Sequence, residues 1–221
     1  MSSESLVHEV REAAGEAAGA LILLHGRGAD EHDLVSVLDA LDPERRLVGL
    51  TPGAPIRPHP SPGGGRWWYQ VPRVGYPDPA TFHATYARLT AFLDGWLAER
   101  GLSWERTILG GFSMGCVMSY ATGLGPGRPS PAAILAMSGF IPTVEGWEPE
   151  LESRRDLPVF IAHGAGDPVI SVEFARDARG LLLDAGLDVD YREHGGAHHL
   201  EQATLASMQA WVASRAKRFV S

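Results

Sequence analysis

Short apolar runs that end near glycine recur along the chain, at 20–26 (ALILLHG), 46–53 (RLVGLTPG), 106–113 (RTILGGFS), 132–139 (AAILAMSG) and 157–164 (LPVFIAHG). Their length and uniform hydrophobicity predict buried parallel strands. Between them, apolar residues recur three or four apart over 30–41, 79–100, 114–124, 171–186 and 201–217, the spacing of helices with one buried face. In the second of these, Phe82, Tyr86, Leu89, Leu93 and Trp96 follow at steps of four, three, four and three, which is a packing stripe. Strand and helix alternate, so the fold class is α/β with a mostly parallel sheet. LVHEVRE (6–12) and DVDYRE (188–193) alternate in period two and are placed at the sheet's edges. One stretch, 51–80, follows neither period. It is rich in proline and glycine and carries Trp67, Trp68 and Tyr69, which either wall an apolar substrate pocket or anchor the loop to the core.

Composition narrows the class further. A chain of 221 residues at 44% hydrophobic can bury one sizeable core, and no repeat or linker divides it, so a single domain over 1–221 is expected. The net charge of -8 argues against nucleic acid and against an anionic membrane surface as partners. No run reaches membrane-spanning length, and the start has no basic segment leading into an apolar one, so neither a membrane span nor a secretory signal is predicted. The single cysteine, Cys116, leaves no internal disulfide and no Cys-rich metal site; a reducing compartment, the cytoplasm, is the expected location. Cys116 itself, a turn into a predicted helix, reads as a small buried hydrophobe rather than a nucleophile. No histidine pair has the HExxH spacing of a zinc protease, and neither metal nor other cofactor is expected.

The motif that carries chemistry is GGFSMGC, 110–116. Gly-x-Ser-x-Gly is common by chance, but here it follows the apolar run Thr107-Ile108-Leu109 and opens a predicted helix. Strand, tight turn and helix make a nucleophile elbow: glycines at 111 and 115 let the two backbones approach, and the turn lifts the Ser113 hydroxyl clear of the sheet. A serine hydroxyl is a poor nucleophile at neutral pH and needs a base oriented by an acid, which follow the serine in that chain order on this scaffold. Asp167, in VFIAHGAGDPVI, stands just past the carboxyl end of a predicted strand, where open α/β sheets place their sites. For the base, HGGAHHLEQATL offers His194, His198 and His199, and spacing does not separate the last two. His25 and His163 come too early in the chain and are expected to order their loops. An oxyanion hole needs two backbone N–H groups; Met114 and, in LLHGRGAD, Arg27 are the candidates. The Arg27 side chain is expected to pair with Asp30 or stand in water, the alternative being attraction of an anionic substrate group.

The motifs LLHGRGAD, GGFSMGC, HGAGDPVI and GGAHHL, in this order, resemble those of the phospholipase/carboxylesterase family of α/β-hydrolases, which includes acyl-protein thioesterases and small bacterial esterases. The similarity spans about 18–215. It implies an α/β-hydrolase fold with helices on both faces of the sheet, and a triad of Ser113, Asp167 and His198. The choice of His198 rests on the resemblance, with His199 the alternative. The chain departs from the thioesterase pattern in carrying Met114 where glutamine is usual and Arg27 where leucine is frequent. The expected function is a serine carboxylesterase acting on a small ester, with a homodimer left open. The alternatives are a thioesterase or lysophospholipase for long acyl chains, and a non-catalytic binding protein on the same fold.

Overall fold

The structure, a computed structural model, describes residues 5–58 and 65–219; residues 59–64 of the loop expected over 51–80 and the first four of the N-terminal stretch lie outside the described residues. The elements run β1 (His8–Arg11), β2 (Gly19–Leu24), α1 (Val35–Leu41), β3 (Leu47–Pro52), α2 (Pro79–Glu99), β4 (Thr107–Phe112), α3 (Met114–Leu124), β5 (Ala133–Met137), β6 (Pro158–Gly164), α4 (Glu173–Asp184), β7 (Asp188–His194) and α5 (Gln202–Ala216). The strands form one sheet in the order β1-β3-β2-β4-β5-β6-β7. Only the β1–β3 pair is antiparallel. The two segments with period-two patterning are its edges, where one side of the ladder is open and a wholly apolar strand would be a liability.

Alternation along the central strands sends side chains to two layers. Ala20, Ile22 and Leu24 join Phe82, Leu89 and Leu93 of α2 and Val117 and Met118 of α3 in one core. Leu21 and Leu23 join Leu38 and Leu41 of α1 and Met208 and Val212 of α5 in the opposite one. A third cluster places α4, through Ala178 and Leu182, against Ile134 and Val159 on the α3 side. Helices therefore cover both faces: α1 and α5 on one, α2, α3 and α4 on the other. The chain leaves β2 toward β3 and then returns to the other flank of β2 with β4, and crossovers of constant hand send α2, α3 and α4 to the opposite face from α1. The carboxyl ends of β2 and β4 thus flank the point where winding reverses, the usual position of a site in an open α/β sheet.

Two local features differ from, or sharpen, the sequence reading. The helix expected over 30–41 begins only at Val35. Asp30 accepts the His32 N–H at 3.0 Å through its side chain, and a series of turns carries the backbone to Val35, so a local side-chain bond replaces the first helical turn. At the β4–α3 junction one residue, Ser113, makes the whole turn, with φ 55 and ψ -119. A Cβ on Gly115 would overlap the carbonyl of Leu24, and one on Gly111 would press on the Gly115 backbone. Gly115→Ala is therefore expected to cost more than about 3 kcal/mol, beyond ordinary overpacking, because backbone and not a movable side chain blocks the space. Urea unfolding of the variant checks this.

Candidate active site

Ser113, Asp167 and His198 come from three separate loops at the carboxyl edge of the sheet, after β4, β6 and β7. The Asp167 carboxylate is fully buried and lies 2.6 Å from His198 Nδ1. Since a carboxylate only accepts, the imidazole proton sits on Nδ1, and Nε2 is left to accept from the Ser113 hydroxyl at 2.8 Å. The His198 ring packs against Phe112, 4.9 Å between centroids, which limits its swing. His199 is exposed and its ring stands 6.0 Å from that of His194, so of the two neighbouring histidines only His198 meets the serine and the aspartate.

The aspartate is prepared for a negative charge. Burial pushes its pKa up, but the hydrogen bond from His198 and the Ile170 and Val169 N–H groups on Oδ1 outweigh it, and the net shift is downward. These two N–H groups come from the turn that Pro168 starts. His163, wholly buried, donates from Nε2 to the Ile170 carbonyl at 2.9 Å and stands 3.3 Å from Asp167 Oδ2. His25 plays a matching part in the other loop: its Nδ1–H donates to the Gly26 carbonyl at 2.7 Å, while Nε2 accepts the Ala54 N–H at 3.0 Å. Both histidines order their loops, as expected of them.

Burial lowers the pKa of both His25 and His163. The unfolded chain takes up their protons near pH 6.5 while the folded chain does not, so their contribution is complete above about pH 6.5 and is lost as pH falls toward the depressed folded values. The unfolding temperature is expected to decline as pH falls from about 6.5 to about 5. Scanning calorimetry across that range reads it, and a constant Tm would contradict the neutral state of both rings.

A cavity of about 90 Å³ opens beside the serine, lined by Arg27, Tyr69, Val71, Val74, Ser113, Met114, Phe140, Val169 and Ile170. Arg27 and Met114, the two expected oxyanion donors, thus face the same space as Ser113. Of the three aromatic residues expected to wall the pocket, only Tyr69 does. Trp68 is in the core, its Nε1 donating to the His25 carbonyl at 2.8 Å and its backbone N–H to Met114 Sδ at 3.2 Å. Trp67 lies under the Arg27 guanidinium, 4.0 Å from ring centroid to Cζ. The pocket reading is corrected for these two: an indole that must satisfy a buried carbonyl and support the loop after β2 is not free to face a substrate. Val169, Ile170 and Phe140 were missed. The first two directly follow the Asp-Pro pair and could have been found there, whereas Phe140 reaches the cavity only through the β5 loop. Burial pushes the Cys116 thiol pKa up, so it is no thiolate nucleophile. Among the described residues no cluster of three or more His, Cys, Asp or Glu side chains is placed to hold a metal ion, and no helix is long and apolar enough to cross a membrane.

Comparison with known proteins bears on the family and the fold. The model of the family described as phospholipase/carboxylesterase matches residues 6–215. Acyl-protein thioesterase 1 of Debaryomyces hansenii is 25% identical over 231 residues, covering 94% of this chain and 96% of that protein. Among solved structures, esterase PE8 superposes with a TM-score of 0.81 at 30% identity, over 95% of this chain and 99% of its own. A Bacillus cereus carboxylesterase gives 0.80 at 20% identity, over 96% and 95%.

Proposed function

The chain belongs to the phospholipase/carboxylesterase family of α/β-hydrolases, and from that premise we propose that it is a serine carboxylesterase, working as one domain, that hydrolyses esters of short acyl groups. The observation that carries the reading is the unbroken chain from the Ser113 hydroxyl through His198 to the buried Asp167 carboxylate, with a small apolar cavity at the hydroxyl. Ser113 Oγ attacks the ester carbonyl as His198 Nε2 takes its proton. Asp167 keeps the proton on Nδ1 and balances the imidazolium charge. The N–H groups of Arg27 and Met114 receive the oxyanion, each contributing about 10²–10³ in rate. His198 then protonates the departing alcohol and activates the water that releases the acyl group.

A thioesterase would use the same machinery, so the substrate decides between readings. The cavity, about 90 Å³, is well below the roughly 300–1,000 Å³ of sites that enclose a drug-sized ligand, which favours a short acyl group over a long chain. With p-nitrophenyl esters from acetate to palmitate, kcat/KM is expected to peak at or below about six carbons and to fall more than tenfold by palmitate. A maximum at long chains would replace this reading by the thioesterase or lysophospholipase one. The rate should also fall on acidification, since only neutral imidazole accepts the serine proton.

A further inference from the structure

We propose that Arg27 makes the enzyme selective for esters whose acyl group carries a free carboxylate, such as monoesters of short dicarboxylic acids; this rests on the esterase reading above and names its substrate class. Arg27 and Ser113 line the same small cavity, and every other side chain there is apolar or aromatic apart from the serine. Arg27, itself exposed, is therefore the single residue with a charged side chain among those lining the cavity. What holds it is equally telling. No carboxylate among the described residues lies within ion-pair distance of Arg27, and Asp30, the nearest in sequence, spends its side chain on the His32 N–H. Arg66, which exchanges backbone bonds with the same loop through Gly28 and Ala29, is by contrast paired with Glu31 at 3.0 Å. The Arg27 guanidinium instead rests on the Trp67 ring, which is itself tied to Ile56 by backbone bonds at 2.9 and 3.2 Å.

An aromatic face orients a guanidinium without neutralising it. A cation paired with a carboxylate would be spent; this one keeps its charge and donors for a ligand, and its planar fork suits a carboxylate. The need for it follows from the rest of the molecule, whose net charge of -8 repels anions. The short cavity adds a length restriction: the carboxylate must lie only a few carbons from the ester carbonyl to reach Arg27 while Ser113 attacks.

The test compares p-nitrophenyl hydrogen glutarate with its neutral isostere, p-nitrophenyl 5-methylhexanoate, in wild type, Arg27→Leu and Arg27→Lys. The ratio of the two kcat/KM values is read, so that any change at the shared backbone oxyanion contact cancels. Wild type is expected to prefer the anionic ester, the ratio to fall about tenfold or more in Arg27→Leu and to recover partly in Arg27→Lys, and the wild-type preference to shrink with added salt. A ratio equal in wild type and Arg27→Leu, with both esters turned over, overturns the selectivity and leaves the esterase standing. Calorimetric titration of glutarate into the Ser113→Ala protein reads the anion site without turnover. Binding weakened about tenfold or more by adding Arg27→Leu supports the site even if no ester is cleaved; no binding overturns it.

Discussion

Ser113→Ala is expected to lower kcat on a short p-nitrophenyl ester by between about 10⁴- and 10⁶-fold and to abolish labelling by a fluorophosphonate, while leaving the folded chain intact. The proposal makes Ser113 the atom that bonds to the acyl group, and no neighbour can replace it: Cys116 is buried and its thiol pKa is pushed up. What remains should be the modest catalysis of the oxyanion donors and substrate binding. A companion variant separates chemistry from strain. Ser113 sits at φ 55, a conformation that costs a residue bearing a Cβ on the order of 1 kcal/mol or more. Ser113→Gly should be equally inactive yet unfold at a higher temperature, the signature of strain held at a working residue. Turnover surviving in either variant would remove the serine from the mechanism, whereas absence of ester turnover and of labelling in the wild type would favour a binding protein on this fold.

Asp167→Asn should cost about 10⁴-fold in kcat with KM changed only a few-fold, for a reason visible in the hydrogen bonds. The Val169 and Ile170 N–H groups, at 2.8 and 2.9 Å from Oδ1, require an oxygen there, so the new amide must turn its NH₂ toward His198 Nδ1. The imidazole proton then moves to Nε2, facing the serine, and the base can no longer accept. The same substitution has a stability signature. Hydrogen bonding holds the folded pKa of Asp167 below its unfolded value against the opposing effect of burial. Its contribution is present above about pH 3.9 and is lost as pH falls through the folded pKa. Denaturant titrations below about pH 4 should therefore show a shallower acid loss in Asp167→Asn than in wild type. A steep loss in both, or a variant that retains full kcat, would contradict the role given to this carboxylate.

The framework of the fold was legible because it depends on patterns local in sequence. Uniform apolar runs such as Leu21–Leu24 mark strands covered on both faces, and the stripe from Phe82 to Trp96 marks a helix face; both follow from the periods of strand and helix. The period-two segments at His8–Arg11 and Asp188–His194 occupy the edges because only an edge strand can leave polar groups toward water. The start of α1 was misjudged by several residues because a single Asp30 side-chain bond competes with the helix's first turn, a contest too fine for periodicity.

At the site, the sequence by itself determined the residue types and their order, since the elbow needs glycines where two backbones meet and the acid and base follow the serine along the chain. Tertiary structure alone decided the rest. His198 and His199 are chemically identical neighbours, and only the path of the loop after β7 turns one of them toward Ser113. Trp67 and Trp68 are likewise adjacent and alike, yet one supports Arg27 and the other is sealed in the core, because the chain bridges to Ile56 at Trp67 and bends at Trp68. The cavity's lining comes from five segments far apart in the chain, and its size and single cationic residue depend on which residues meet there, a matter of long-range packing that no local pattern encodes.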